Sequence, residues 1–224
     1  GASRPAAGFD AAPPASRAAL RSAAMHGTPT LDATLDMPLA PWPPSSSTVL
    51  DAVLLPLCAR HGLPLLLRMG TCRGINETQG LAGDGVGSAR LDALTNLCAS
   101  HPRHKFVVAV LDAAQQHAAA VIASRFRNVH IWGSWWFSAL PSVAAEGTAM
   151  RMEMLGVEFT FCASSAKLHD QLIYKWKNSR ALLTATLTSK YSDVAERGWR
   201  VSRGDIRRDV QRLLGGAFED FLAK

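Results

Sequence analysis

Between Val129 and Trp176 the chain reads VHIWGSWWFSALPSVAAEGTAMRMEMLGVEFTFCASSAKLHDQLIYKW. Two apolar runs of strand length, 129–132 and 157–163, each lead into a loop and then into a helix-length segment. The first loop is rich in tryptophan and the second is polar. Strand, loop, helix, repeated in this order, builds parallel sheets. In such sheets the loops at the carboxyl ends of the strands carry binding and chemistry. The functional expectation therefore falls on residues 133–138 and 164–167.

The rest of the chain extends this pattern. Leu50, Val53, Leu54, Leu57 and Cys58 recur at helical spacing, and Gly62 stops that helix. Residues 64–69 are a short apolar strand, followed by a Gly-rich loop over 71–87. Ser88 is placed to cap a helix carrying Leu91, Leu94 and Leu97. A strand is expected at 106–111, a helix at 113–126, and helices at 140–155 and from about 168 to 197. Ser202 and Asp205 have the spacing of a capping box, and Gly215-Gly216 ends the helix that follows. Strands starting near 64, 106, 129 and 157 read as apolar throughout, as parallel strands covered on both faces do. The fold class expected is α/β: a partial (β/α)8 TIM-type barrel of about four βα units with extra carboxyl-terminal helices. Half a barrel leaves two sheet edges unpaired. A protein partner or self-association is expected to cover them.

Residues 1–47 break the pattern. They are rich in Ala, Pro and Ser, with Pro13-Pro14 and Pro41-Trp42-Pro43-Pro44, and offer little apolar surface to offset ordering. Two domains of the chain are therefore expected: an irregular extension, 1–47, and a folded half-barrel unit, 48–224. Residues 15–24 carry Arg, Ala and Ser without acid and resemble an organelle transit sequence. A disordered or partner-bound extension is the preferred reading. The chain starts at Gly1 without Met, as a processed or partial product would. The four cysteines, 58, 72, 98 and 162, form no CxxC pair and sit in or beside apolar segments, which suits buried thiols in a reducing intracellular compartment. No apolar run approaches membrane-span length. The formal net charge of +6 is spread along the carboxyl-terminal helices, without the compact basic patch or aromatic platform that nucleic acid requires.

Few motifs carry chemistry. Gly83-Asp84-Gly85-Val86-Gly87 fits neither common phosphate-loop pattern, and a loop needing positive φ angles explains it better. The seven histidines form no HxH or HExxH, and no three of them converge as a metal site needs. Trp132 is expected in the core. Trp135 and Trp136 fall in the loop after a strand, where an indole can wall a pocket and stack on a sugar face. Arg73, after the first strand, is a candidate fork for a carboxylate.

Longer motifs point to a family. GSWWFSALPS, RMEMLG and LHDQLIYKWKNSR resemble the carboxyl-terminal half of uronate (glucuronate) isomerase. MGTCRGIN, GLAGDGVG, HKFVVAVL, SRFRNVHIWG and RGWRVSRGDIRRDVQRLLGGAF add to the likeness, which spans about residues 50–222. The resemblance implies a (β/α)8 barrel of the amidohydrolase superfamily. It implies interconversion of an aldo-uronate and a keto-uronate, such as glucuronate and fructuronate. That reaction needs a base, a polarised carbonyl and a grip on the carboxylate. It also implies a divalent metal such as zinc, held by an HxH pair and by an Asp in a pattern like HSDAR.

Counted back from Asp170, that last pattern falls on Ala163-Ser164-Ser165-Ala166-Lys167. Ser165 stands at the metal-binding Asp position and Lys167 at the Arg position. No catalytic set is intact, and no resident cofactor is expected. Arg73, Trp135, Trp136 and Lys167 remain as candidate substrate-binding residues for a sugar acid. The expected function is a uronate isomerase-like protein, catalytically degenerate, acting as a structural or binding subunit. The alternative is an active isomerase fragment completed by another polypeptide.

Overall fold

The computed structural model describes residues 49–161, 166 and 168–224. The expected irregular extension, the Ser164–Ser165 turn, Lys167 and Cys162 lie outside them.

A wide helical turn, Leu50–Leu54, runs into helix α1, Leu55–His61, which ends where Gly62 takes φ 61°. Strand β1, Leu65–Met69, follows. The Gly-rich segment then forms a two-rung antiparallel hairpin, β2 (Thr71–Cys72) and β3 (Gly85–Val86). Helix α2 (Leu91–Ser100), strand β4 (Phe106–Val110), helix α3 (Gln116–Arg125), strand β5 (Val129–Ile131) and helix α4 (Pro141–Leu155) come next. Helix α5, His169–Glu196, is the longest element described, about 42 Å at 1.5 Å per residue. Helices α6 (Arg203–Gln211) and α7 (Ala217–Ala223) complete the chain, with Gly215 at φ 145° breaking the path between them.

The sheet order is β1-β4-β5, all parallel. Leu65 pairs with Phe106 and Phe106 with Val129, so Leu65, Leu67, Met69, Phe106, Val108, Val110, Val129 and Ile131 share one face. That face meets Leu94, Leu97 and Cys98 of α2 and Ala119 of α3, and Phe159 and Phe161 extend it. Each fully buried Leu or Phe here contributes roughly 1.5–3 kcal/mol. The opposite face presents Leu66, Arg68, Val107, Ala109, His130, Trp132 and Thr160. Helix α7 closes its amino end: Phe218 and Phe221 pack on the His130 ring at 5.6 and 5.2 Å, and Lys105 Nζ donates to the Leu222 carbonyl.

Several expectations need correction. The fourth strand, expected at 157–163, appears among the described residues as one parallel bridge, Trp132 to Thr160. β1 is not apolar throughout: it alternates buried and exposed, with Leu66 and Arg68 exposed. Ser88 does not cap α2. Its Oγ instead accepts from Gln115 Nε2 at 2.9 Å, and α2 starts three residues later. Cys72 is exposed and Cys58 only half-buried, whereas Cys98 is buried.

Glycines 83, 85 and 87 do not take positive φ; Gly83 is required by close approach to backbone, and Gly85 and Gly87 sit in tight contact with side chains. A Cβ on Gly83 would lie 1.9 Å from the Asn76 carbonyl oxygen, and one on Gly85 would lie 2.3 Å from Ile75 Cδ1. Crowding, not anion cradling, explains this motif. The Ser202 capping box forms as expected: Asp205 N–H donates to Ser202 Oγ at 3.1 Å, and Ser202 N–H donates to Asp205 Oδ2 at 3.1 Å. No helix among the described residues is long and apolar enough to cross a membrane.

Candidate functional site

At the carboxyl end of β5 the chain turns sharply. Trp132 N–H donates to the Val108 carbonyl, and Gly133, at φ 56°, donates to the Thr160 carbonyl at 2.8 Å. A short turn over 136–139 follows. The buried Ser138 hydroxyl closes it, accepting from Trp135 N–H at 3.0 Å and donating to the Trp135 carbonyl at 2.8 Å. Trp136 adopts φ 48°, a left-handed conformation that is costly for an aromatic residue. This holds its indole at the surface, 40% exposed and stacked on Phe137 at 4.5 Å. Trp135 tilts against it at 5.9 Å.

Together Trp135 and Trp136 wall one side of a cavity of about 670 Å³. Ala144 of α4, Phe161, and Tyr174 and Leu182 of α5 form much of the rest. The lining is largely apolar, with Lys175, Asn178 and Ser179 adding polar groups. The two tryptophans expected at a site are thus brought together. Arg73 is not part of this lining. It pairs with Asp84 across the hairpin, its side chain 64% exposed, and Gly74 N–H donates to the same carboxylate. These two hydrogen bonds, from the Gly74 amide first and the guanidinium second, hold the Asp84 carboxyl below its usual range.

Two arginines not singled out in the sequence stand by the tryptophan turn, outside this lining. Arg151 projects from α4 on the stripe Ala144, Gly147, Thr148, Arg151, all buried. Its small neighbours leave room for the guanidinium. One nitrogen donates to the Gly133 carbonyl at 2.9 Å, and another donates to Gln116 Oε1. Gln116 in turn donates to the Val110 carbonyl at 2.7 Å. The network ties the carboxyl ends of β4 and β5 together beneath the tryptophan turn. Burial pulls Arg151 down to about 10, which still leaves it charged near neutrality. The helical spacing of the stripe was the signal that could have found it.

Arg68 lies on the sheet face opposite the helix-packed core. Its row across the sheet runs Arg68, Ala109, Trp132, Thr160. Two strand spacings separate Arg68 from Trp132, about 9.6 Å. The methyl of Ala109 between them lets the long side chain cross. The guanidinium carbon sits 5.5 Å from the Trp132 ring centre and 5.3 Å from that of Trp135. Trp132, expected in the core, is therefore half-buried and in contact with a cation.

Two of the histidines, His130 and His104, take structural places. His130 is buried and hydrogen-bonded to Thr160 Oγ1 at 2.8 Å, and burial holds it down at about 4. His104 Nε2 meets the Leu55 carbonyl at 2.9 Å, before the amino end of β4.

An α/β chain with a parallel sheet, and with a largely apolar, tryptophan-walled cavity beside the carboxyl end of β5, is the class these observations define. No family model matches the chain, and no curated protein does. Among solved structures, a uronate isomerase from Bacillus halodurans C-125 is 37% identical over 79% of this chain and 42% of its own, with a TM-score of 0.75. A uronate isomerase from Thermotoga maritima is 17% identical over 73% of this chain and 37% of its own, with a TM-score of 0.59, a likeness of fold alone. The chain spans less than half the length of either. It is a uronate isomerase-like protein.

The metal implied by the resemblance does not fit the described donors. Around the tryptophan turn stand Arg68, Trp132, Trp135 and Arg151, two cations and two indoles. Asp112, after β4, caps the next turn by accepting from Ala114 N–H at 3.0 Å. Among the described residues no three His, Cys, Asp or Glu side chains group as a metal site needs.

Proposed function

We propose that residues 48–224 form half of a (β/α)8 barrel that has lost isomerase chemistry and serves as a structural or binding subunit. The observation that carries this reading is the run Ala163-Ser164-Ser165-Ala166-Lys167, in which the resemblance implies Ser165 for the metal-binding Asp and Lys167 for the Arg. A neutral hydroxyl replaces neither an anionic ligand nor a base, and Lys lacks the bidentate fork of Arg. The partner half of the proposal is supported by the free edge of β1, which pairs on one side only among the described residues. Leu63 and Leu66 are 60% and 42% exposed on and beside this strand. The first half of α5 adds Ile173 at 73% and Tyr174 at 52%. A second polypeptide or a second copy of this chain covers these surfaces.

An active fragment completed by another polypeptide is the second reading, favoured by the intact Trp135-Trp136 turn. Zinc titration of the chain mixed with an added amino-terminal half of a uronate isomerase, followed by calorimetry, separates the two. The silent reading expects no stoichiometric zinc. One tightly held zinc per chain would instead support the active fragment.

A further inference from the structure

We propose that Arg68 is the receptor for the carboxylate of a sugar acid, held ready by the indoles of Trp132 and Trp135. Its ligand class rests on the uronate isomerase-like reading, but it does not depend on catalytic silence.

Three observations converge. First, Arg68, exposed on the edge strand β1, makes no ion pair among the described residues. Its recorded partners are the two ring faces at 5.5 and 5.3 Å. Indole faces attract a cation but neutralise none of its charge, and they leave the edge of the guanidinium plane, with its N–H donors, unused. Second, Arg73 already has a carboxylate in Asp84, and Arg151 donates to neutral oxygens. Arg68 is thus the strand-borne cation with a fork to offer. Third, Trp135 Nε1 is buried and meets no acceptor among the described residues. A buried donor without an acceptor is costly. The exposed guanidinium over this ring, with no ion pair among the described residues, and the buried N–H without an acceptor would both be served by an anionic oxygen.

Placement fits the chemistry. Arg68 is one residue from the carboxyl end of β1, and Trp132 just follows β5, where parallel sheets receive their ligands. Two indoles stand within 5.5 Å of the guanidinium carbon, and a planar carboxylate matches the guanidinium fork in a bidentate pair better than a tetrahedral phosphate does. Trp136, exposed beside Trp135, offers a ring face to the C–H surface of the sugar.

Equilibrium dialysis of the full 224-residue chain against glucuronate, glucose and glucose 6-phosphate tests the assignment. Glucuronate is expected to bind saturably at one site, at least about tenfold more tightly than either of the others. Arg68→Met should weaken glucuronate binding on the order of tenfold to a hundredfold, the loss of a charge-assisted pair. Arg68→Lys should fall between Met and the native residue, and circular dichroism should match the native spectrum for at least one of the two. No glucuronate binding by the native chain would overturn the proposal. So would unchanged binding in a folded Arg68 variant, or equal affinity for glucose 6-phosphate. Zinc-dependent turnover would sink the silent reading and leave this site standing. Absent glucuronate binding would do the reverse.

Discussion

Acidification should unfasten the carboxyl-terminal helix through His130. This histidine is 3% exposed, bonded to Thr160 and pressed by Phe218 and Phe221, with Lys224 near enough to repel its charged form. Burial first, and Lys224 second, lower it from 6.5 to about 4. Its folded value is depressed, so the unfolded chain binds the proton more readily between these limits. The stability it contributes is full above pH 6.5 and is lost as pH falls toward 4. Linkage gives a loss of about 1 kcal/mol at pH 5.5 and about 2–3 kcal/mol at pH 4.5.

Asp84, Asp92 and Asp205 are also shifted down, but from 3.8, so their contribution fails below this window. His101 is lowered as well, by burial first and then by His104, and it stays in place in a variant at 130. Urea unfolding followed by tryptophan fluorescence, in the native chain and in His130→Gln, isolates the term. Gln keeps a donor for Thr160 and does not titrate. The native chain should lose about 2 kcal/mol more than the variant between pH 7 and 4.5. Parallel losses in the two proteins would refute the reasoning.

Three further outcomes follow from the geometry. Gly83→Ala places a methyl against the Asn76 carbonyl, and should cost about 1–3 kcal/mol and open the 71–87 hairpin to proteolysis; a native-like melting curve would contradict it. Cys72 is exposed, whereas burial pushes the Cys98 thiol up to about 12, so a disulfide reagent should modify Cys72 at once and Cys98 only on unfolding. Arg151→Met leaves the Gly133 carbonyl and Gln116 Oε1 without this donor but removes a desolvated charge; a net loss of about 1–3 kcal/mol, read by thermal unfolding, is expected.

Periodicity and punctuation made the framework legible. Apolar runs located β1, β4 and β5, Gly62 and Gly156 ended their helices, and Ser202 with Asp205 opened α6. Trp135 and Trp136 were legible from position alone, after a strand. Arg68 was not, because its meaning lies in register: only pairing across Ala109 sets it against Trp132. Arg151 was hidden because a charged residue on a helix is ordinarily solvated, and only its small stripe-mates mark it as buried. The glycines of 83–87 were visible, but their cause was not, since steric approach depends on where Asn76 and Ile75 fold back. Ser88 shows the limit of cap signals: a hydroxyl near a helix start found a side-chain partner in Gln115 instead.

The account stands or falls on isomerisation itself. Glucuronate incubated with the purified chain and zinc, and followed by proton exchange at the carbon next to the carbonyl, should show no conversion to fructuronate and no exchange above the buffer rate. Steady turnover that disappears with a chelator would contradict it, and would return Ser165 and Lys167 to a working centre.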